Sequence, residues 1–143
     1  MHTYVRIVVA LLLGTLAFAG TTVAVTAAFE PEIAFSLLIG LPMGVSAGLT
    51  GLFAGYVLLW YRDRAAAGAV SERAVRLRMA ALAAVIDFFV VTAVGVALYT
   101  LAIGSVGISL LVAGLPVTLL LAAAVGYLVA GDNHSEYDGL QTQ

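Results

Sequence analysis

The chain has 143 residues, of which 63% are hydrophobic and only 10% are charged, and its formal net charge at pH 7 is −2. Soluble domains carry about 25% charged residues, so the composition argues against a soluble globular domain, and the small net charge gives no reason to expect nucleic acid as a partner. The sequence contains no cysteine, which excludes disulfides and cysteine-based metal sites.

Charged residues are absent from three long stretches of 23, 29 and 44 residues. A helix needs about 20 apolar residues to cross the hydrocarbon core of a bilayer. The first two stretches therefore fit one span each, and the third, with Met79–Ile86 before it, is long enough for two. The pattern predicts an all-α integral membrane four-helix bundle in the cell membrane. The predicted spans are about 5–29, 33–61, 79–103 and 106–130, and a predicted four-residue turn, Gly104-Ser105-Val106-Gly107, joins the last two.

The uncharged part of the first span begins after Arg6 and contains Ala17-Phe18-Ala19, which resembles the cleavage site of a signal peptide. The apolar run continues to Phe29, which is longer than the apolar region of a typical signal peptide, so we expect this span to be retained. Small residues at Gly14 and Ala17, with others at intervals of three and four residues, lie on one face of the predicted helix.

The second span carries five glycines at intervals of three and four residues, which places them on one helix face. Because helices in lipid associate through close packing, such small residues indicate a packing surface, here a glycine zipper. The partner helix is either the first span of the same chain or a second copy of the chain. The predicted packing residues are Gly40, Gly44, Gly48, Gly51 and Gly55 of this span, with Gly14 and Gly126.

Two spans share a Gly-Leu-Pro sequence, ending at Pro42 in the second span and at Pro116 in the fourth. This similarity favours two tandem helical hairpins, 1–61 and 79–130, with a helix kink at each proline. A proline frees the carbonyl four residues earlier, here Leu38 and Val112. Those carbonyls could bind an ion or substrate, bond to a Ser or Thr hydroxyl, or only mark the kink.

The connection between the second and third spans holds five of the six basic residues, and the sixth is Arg6. Basic residues favour the cytoplasmic side, which predicts cytoplasmic N- and C-termini. Ser71 is predicted to cap a helix that starts at Glu72, with Glu72 and Arg76 as an i,i+4 pair. The arginines either signal topology or hold anionic lipid head groups. They are Arg62, Arg64, Arg73, Arg76 and Arg78.

Asp87 is the single charged residue deep within a predicted span. A carboxylate near the bilayer centre costs on the order of 2.5–3.5 kcal/mol on insertion scales and usually faces a helix bundle or a water path. Counting along antiparallel helices places Tyr56, Tyr127 and Thr15 at comparable depth as hydrogen-bond partners. Three roles remain open: a proton or cation site, a contact with another subunit, and a carboxyl satisfied within its own chain.

Residues 132–143 are short and polar, and they are predicted to form a disordered cytoplasmic tail. The two histidines, His2 and His134, lie near opposite ends of the chain. No arrangement of a nucleophile, a base and an acid is found at one depth, and no phosphate-binding glycine motif is present. The sequence therefore predicts a protein that is not an enzyme and that binds no metal or cofactor.

The lack of lysine and cysteine, the richness in Ala, Val and Gly and the short acidic tail resemble the small multi-pass membrane proteins of unknown function in haloarchaeal genomes. This resemblance lies in composition and layout and implies no activity. The expected function is that of a non-enzymatic helix-packing or accessory subunit, in a homo-oligomer or a larger membrane complex. The alternative is a small oligomeric carrier or channel, coupled to protons or cations, that uses Asp87.

Overall fold

The structure is a computed structural model that describes residues 2–30, 36–101 and 104–141, with side chains as far as Gly131. Within this part of the chain all regular structure is helical, as the sequence predicted, and no strand occurs. A π-helical segment, Leu110–Gly114, joins the last two α-helices. The helices are α1 (Thr3–Phe29), α2 (Leu37–Ala66), α3 (Glu72–Thr100), α4 (Gly104–Ser109) and α5 (Leu115–Gln141).

Four helical stretches are long and apolar enough to cross a membrane: α1, α2, α3 and the continuous stretch Gly104–Gly131 that includes α4. The predicted number of long apolar helices is therefore confirmed. The sequence predicts the turn between the third and fourth spans at residues 104–107, but this is wrong because these residues form the first turn of α4. Residues 33–35 and 102–103, at the ends of predicted spans, lie outside the described residues.

The helices pack as two antiparallel hairpins, α1 with α2 and α3 with the fourth span, and the hairpins meet mainly through α2 and α3. The contact of α1 with α2 is the most extensive, followed by that of α3 with α5, and α2 with α3 comes next. Helix α2 barely touches α5. As a result half of the most apolar window of α2 is buried, whereas the corresponding windows of the other three spans are 11–17% buried.

Two apolar clusters hold the hairpins together. The larger one contains the fully buried Met43 of α2, with Leu111 and Leu115 of the fourth span. At its edge the rings of Phe29 and Tyr99 meet at 71°, with centroids 4.8 Å apart, an edge-to-face geometry that aromatic pairs prefer. The smaller cluster joins α2 to α3 nearer to the connection between them and contains Ala54, Val57 and Ala81.

The glycine face of α2 packs against α1 of the same chain. A methyl group built on Gly48 would lie 2.9 Å from Cβ of Phe18, and one on Gly51 would lie 3.1 Å from Cβ of Ala17. On α1, a methyl group at Gly14 would lie 2.9 Å from the Gly48 carbonyl oxygen. The other α2 glycines in this contact are Gly40, Gly44 and Gly55.

The second hairpin has its own close approaches between helix backbones. A methyl group on Gly126 would lie 2.7 Å from the carbonyl oxygen of Met79, and one on Gly107 would lie 2.7 Å from that of Gly95. Small residues therefore let the backbones approach in both hairpins. Close packing of this kind is the main source of association for helices that lie in a bilayer.

The two prolines lie in different surroundings. Helix α2 is continuous through Pro42, whereas Pro116 follows the π-helical segment, in which the Leu115 N–H bonds to the Leu110 carbonyl. Since proline has no N–H, the carbonyl four residues before Pro116 loses its α-helical donor, and a wider turn at this point accommodates the loss. The two Gly-Leu-Pro sequences are thus not structurally equivalent, although each lies in the second half of a hairpin.

The connection between α2 and α3 is short and ends in a predicted cap. Gly68 has a φ of 67°, a left-handed conformation that glycine adopts at no steric cost. The Ser71 hydroxyl accepts a hydrogen bond of 3.3 Å from the Ala74 N–H. Glu72 forms an ion pair with Arg76, which lies one turn later in the same helix. Both predicted interactions are confirmed, so the third helix starts at Glu72, seven residues before the predicted span.

Replacing Ser71 by alanine is expected to lower the free energy of unfolding by about 1 kcal/mol, because the Ala74 N–H loses its acceptor at the start of a long helix. Unfolding titrations in mixed detergent measure this change. Ser71→Asp keeps an acceptor and should retain the wild-type stability. Equal losses in the alanine and aspartate variants would show that the cap does not stabilise α3.

The backbone of α5 is helical as far as Gln141, whereas the sequence predicts a disordered tail from residue 132. No proline follows Pro116 in the sequence, and each residue added to an existing helix gains a backbone hydrogen bond. Residues 142 and 143 lie outside the described residues.

Candidate functional site

Arginine and aromatic side chains cluster at the end of the bundle that holds the N-terminus and the connection between α2 and α3, which we call the arginine end. Four guanidinium groups lie 4.8–5.8 Å from the centroid of a ring, within the range of cation–π attraction. The pairs are Arg6 with Tyr56, Arg64 with Trp60, Arg76 with Tyr127, and Arg78 with Tyr61.

An ion pair joins α1 to α2 at the arginine end. Nε of Arg6 lies 3.7 Å from Oδ2 of Asp63, and the two side chains are 13% and 24% exposed. Sequence analysis did not predict this pair, although counting along an antiparallel hairpin brings the start of α1 beside the end of α2. The pair fixes the open end of the first hairpin, opposite the connection between its helices.

A cavity of about 420 Å³ lies beside these pairs, between the end of α2 and the start of α3. We call it the arginine cavity. Its polar lining includes Arg64, Ser71 and Arg73, and Trp60, Val57 and Leu77 contribute apolar surface. No acidic residue lines it among the residues that the structure describes. The arginine cavity therefore has the charge and the lining to hold an anion that carries an apolar part.

The other three predicted arginines do not line this cavity. Arg62 is exposed near the end of α2, and the guanidinium carbon of Arg78 lies 4.8 Å from the ring centroid of Tyr61. Arg76 is shared between Glu72 and the ring of Tyr127. The five arginines thus divide into two that line the cavity and three that lie outside it.

Asp87 lies near the middle of α3, 15 residues after its first residue. Its side chain is half-buried, and Oδ2 is buried without a hydrogen-bond partner in the described part of the chain. Leaving a buried polar atom without a partner costs roughly 1–3 kcal/mol, and more for a charged group. Oδ2 of Asp87 and the Thr92 hydroxyl are the two buried side-chain oxygens of α3 that have no hydrogen-bond partner in the described part of the chain.

The predicted partners of Asp87 lie elsewhere. Tyr56 and Tyr127 lie beneath Arg6 and Arg76 at the arginine end, and Thr15 lines a shallow groove between α1 and α2. Counting positions along the helices predicted that these residues lie close to Asp87. In the structure the two tyrosine rings lie against arginines, and the Thr15 side chain lines the groove. Oδ2 of Asp87 accepts no hydrogen bond from any of the three within the described residues, and their grouping as one site stays a prediction.

Open apolar grooves flank the contact between α2 and α3. The larger, of about 370 Å³, lies between α2 and α5 and is lined by Phe53, Ala84 and Leu119 among others. The smaller, of about 220 Å³, lies between α1 and α3. Both are nearly devoid of polar surface, so neither forms a water path to Asp87. Within the described residues no group of three or more His, Asp or Glu side chains is placed to hold a metal ion.

Large apolar side chains cover the outside of the bundle. Leu16 of α1 is 69% exposed, Phe89 of α3 is 67% exposed and Leu120 of α5 is 75% exposed. A soluble monomer rarely exposes contiguous apolar surface on this scale. With four helices of spanning length, this surface is consistent with a membrane protein whose outer face contacts lipid.

Comparison with known proteins gives one match. The family model described as Domain of unknown function (DUF8147) matches residues 3–130, a range that starts with α1 and takes in all four apolar stretches. No curated protein and no solved structure matches the chain.

Proposed function

The chain belongs to the DUF8147 family, whose description assigns no activity, and from the geometry of this chain we propose that it is a non-enzymatic subunit of a membrane assembly. In this proposal the four spans cross the cell membrane with the arginine end in the cytoplasm, as the positive-inside rule favours. The subunit associates laterally with a partner in the bilayer, either a second copy or another membrane protein.

The observation that carries this proposal is the unpartnered oxygen of Asp87. A carboxylate in an apolar helix is stable when it faces a bundle interior, a water path or a paired group. The grooves beside α3 are apolar, and the glycine faces are occupied within the chain. Oδ2 is enclosed by its own chain, so a donor or basic group from another subunit would approach the exposed part of the half-buried side chain, which makes the surface around Asp87 the proposed contact.

A carrier or channel coupled to protons or cations is the second candidate, and it is favoured by the same oxygen. A proton relay through a membrane normally uses several ionisable groups along a path. No other Asp, Glu, Lys, Arg or His lies between Met79 and Gly131. The accessory subunit is therefore the better-supported function, since one carboxylate suffices for a contact.

Photo-crosslinking tests this proposal, and the absence of native cysteine makes single-cysteine variants specific. A benzophenone maleimide attached at Ile86→Cys or Val90→Cys, both exposed positions beside Asp87, is expected to capture a protein in native membranes. The matched control is Leu16→Cys on α1, which is equally exposed. Mass spectrometry of the adduct distinguishes a second copy from another protein.

Protein adducts of equal yield from the α1 control and from the two α3 positions would contradict the proposed contact. Adducts with lipid alone at all three positions would contradict association altogether. Recovery of the chain in the soluble fraction, after carbonate washing of membranes, would contradict its insertion in the bilayer.

A further inference from the structure

We propose that the arginine cavity is a binding site for the phosphate head group of an anionic membrane lipid. The inference rests on the membrane location in the proposed function, but it does not depend on Asp87 or on a protein partner. Lipid recognition by this chain would then be specific, beyond the general attraction of basic loops to acidic membranes.

The charge of the cavity selects for an anion. Arg64 and Arg73 place two guanidinium groups in its lining, and a guanidinium matches a phosphate with two parallel hydrogen bonds. The guanidinium carbon of Arg64 lies 4.9 Å from the ring centroid of Trp60. This contact already restricts the side chain, so Arg64 loses less conformational entropy when a ligand binds. Arg73 is exposed, which leaves its head free to close over a bound phosphate.

The start of α3 adds uncharged donors to the same cavity. The Ser71 hydroxyl oxygen accepts the capping hydrogen bond, which leaves its hydrogen available to a phosphate oxygen. The first N–H groups of a long helix carry a partial positive charge that favours anions. The one acidic residue of this turn, Glu72, pairs with Arg76, so its charge is compensated beside the site.

The apolar part of the lining favours a lipid over a free phosphate ion. Val57 is buried and Leu77 is half-buried, and both line the cavity with Trp60. An inorganic ion gains nothing from such walls, whereas a glycerol backbone and the first carbons of an acyl chain do. The cavity also lies where a predicted span meets its polar connection, which is the level of lipid head groups.

Lipid retention measured by native mass spectrometry tests the site. The wild-type protein in mild detergent is mixed with phosphatidylglycerol or with phosphatidylcholine. We expect one phosphatidylglycerol per chain and at least a tenfold preference over phosphatidylcholine. Arg73→Gln should reduce the phosphatidylglycerol adduct at least tenfold. The matched control is Arg62→Gln, which removes the same charge from an exposed position outside the cavity and should leave the adduct unchanged.

Three results would overturn the inference: equal losses in the Arg73 and Arg62 variants, equal retention of both lipids, or displacement of phosphatidylglycerol by millimolar inorganic phosphate. The last would assign the site to a free anion. Arg64→Gln also removes the contact with Trp60 and can therefore change the fold. Arg73→Gln removes a charge of the cavity without touching that contact, so it is the variant that tests the site. An Asp87→Leu variant that still retains the lipid would separate this site from the proposed subunit contact.

Discussion

Replacing Gly44 by isoleucine is expected to separate α1 from α2 and to lower the free energy of unfolding by about 3 kcal/mol, near the upper end for overpacked positions. A methyl group at this position already conflicts with the Thr22 hydroxyl and would lie 3.0 Å from the Phe18 carbonyl oxygen. The carbonyl belongs to the backbone of α1 and cannot move without shifting the helix. Unfolding titrations in mixed detergent measure the change.

The control for this prediction lies on the neighbouring helix. A methyl group built on Gly20 meets nothing within 4 Å, so Gly20→Ile adds the same side chain to an open face of α1. Its stability should be close to that of the wild type or slightly higher, since glycine is a poor helix former. Equal stability of the two variants would refute the close packing of α1 on Gly44.

Replacing Asp87 by leucine is expected to abolish lateral association, with at least a tenfold fall in the associated fraction measured by native mass spectrometry of membrane extracts. The isolated chain should be as stable as the wild type or more so, because the substitution removes a buried oxygen that has no partner within the described residues. Asp87→Asn keeps hydrogen-bonding atoms at the same place and should retain part of the association.

The same variants separate the two candidate functions. Under the carrier function, Asp87→Asn should abolish proton or cation flux into vesicles while the oligomer survives. Under the subunit function, no flux depends on Asp87, and association falls in the order wild type, asparagine, leucine. An unchanged oligomer in Asp87→Leu would refute the proposed contact. Phe89→Leu, an exposed apolar change on the same helix, provides the control for altered lipid contacts.

Sequence patterns predicted the four long apolar helices well because hydrophobic length and charge are local properties. The four helices follow the predicted stretches, and the cap at Ser71 with the Glu72–Arg76 pair depends on residues only three and four positions apart. The predicted first and last residues of the helices are less accurate. Glycine at positions 104 and 107 indicated a turn, but in this bundle Gly107 allows α4 to approach the backbone of α3.

The surroundings of Asp87 and the arginine cavity were harder to predict because they depend on how helices are rotated about their axes. Depth placed Tyr56 and Tyr127 near Asp87, yet both rings lie beneath arginines. The cavity combines residues from α2 with others from α3, so no single stretch of sequence contains it. The i,i+4 spacing of Trp60 and Arg64 is a local signal of one side of the cavity that the sequence analysis did not use.

The π-helical segment affects which residues of the fourth span face the other helices. Its buried residues Gly107, Leu111, Leu115 and Leu119 are spaced by four. In a regular α-helix of 3.6 residues per turn, each such step overshoots a full turn by about 40°, and the row would wind away from α3. The π-helical turn at Leu110–Gly114 contains more residues than an α-helical turn. It therefore reduces the rotation of this row of buried residues about the helix axis. With one residue deleted there, a regular α-helix would keep the residues after it, including Gly126, facing the neighbours that they face now.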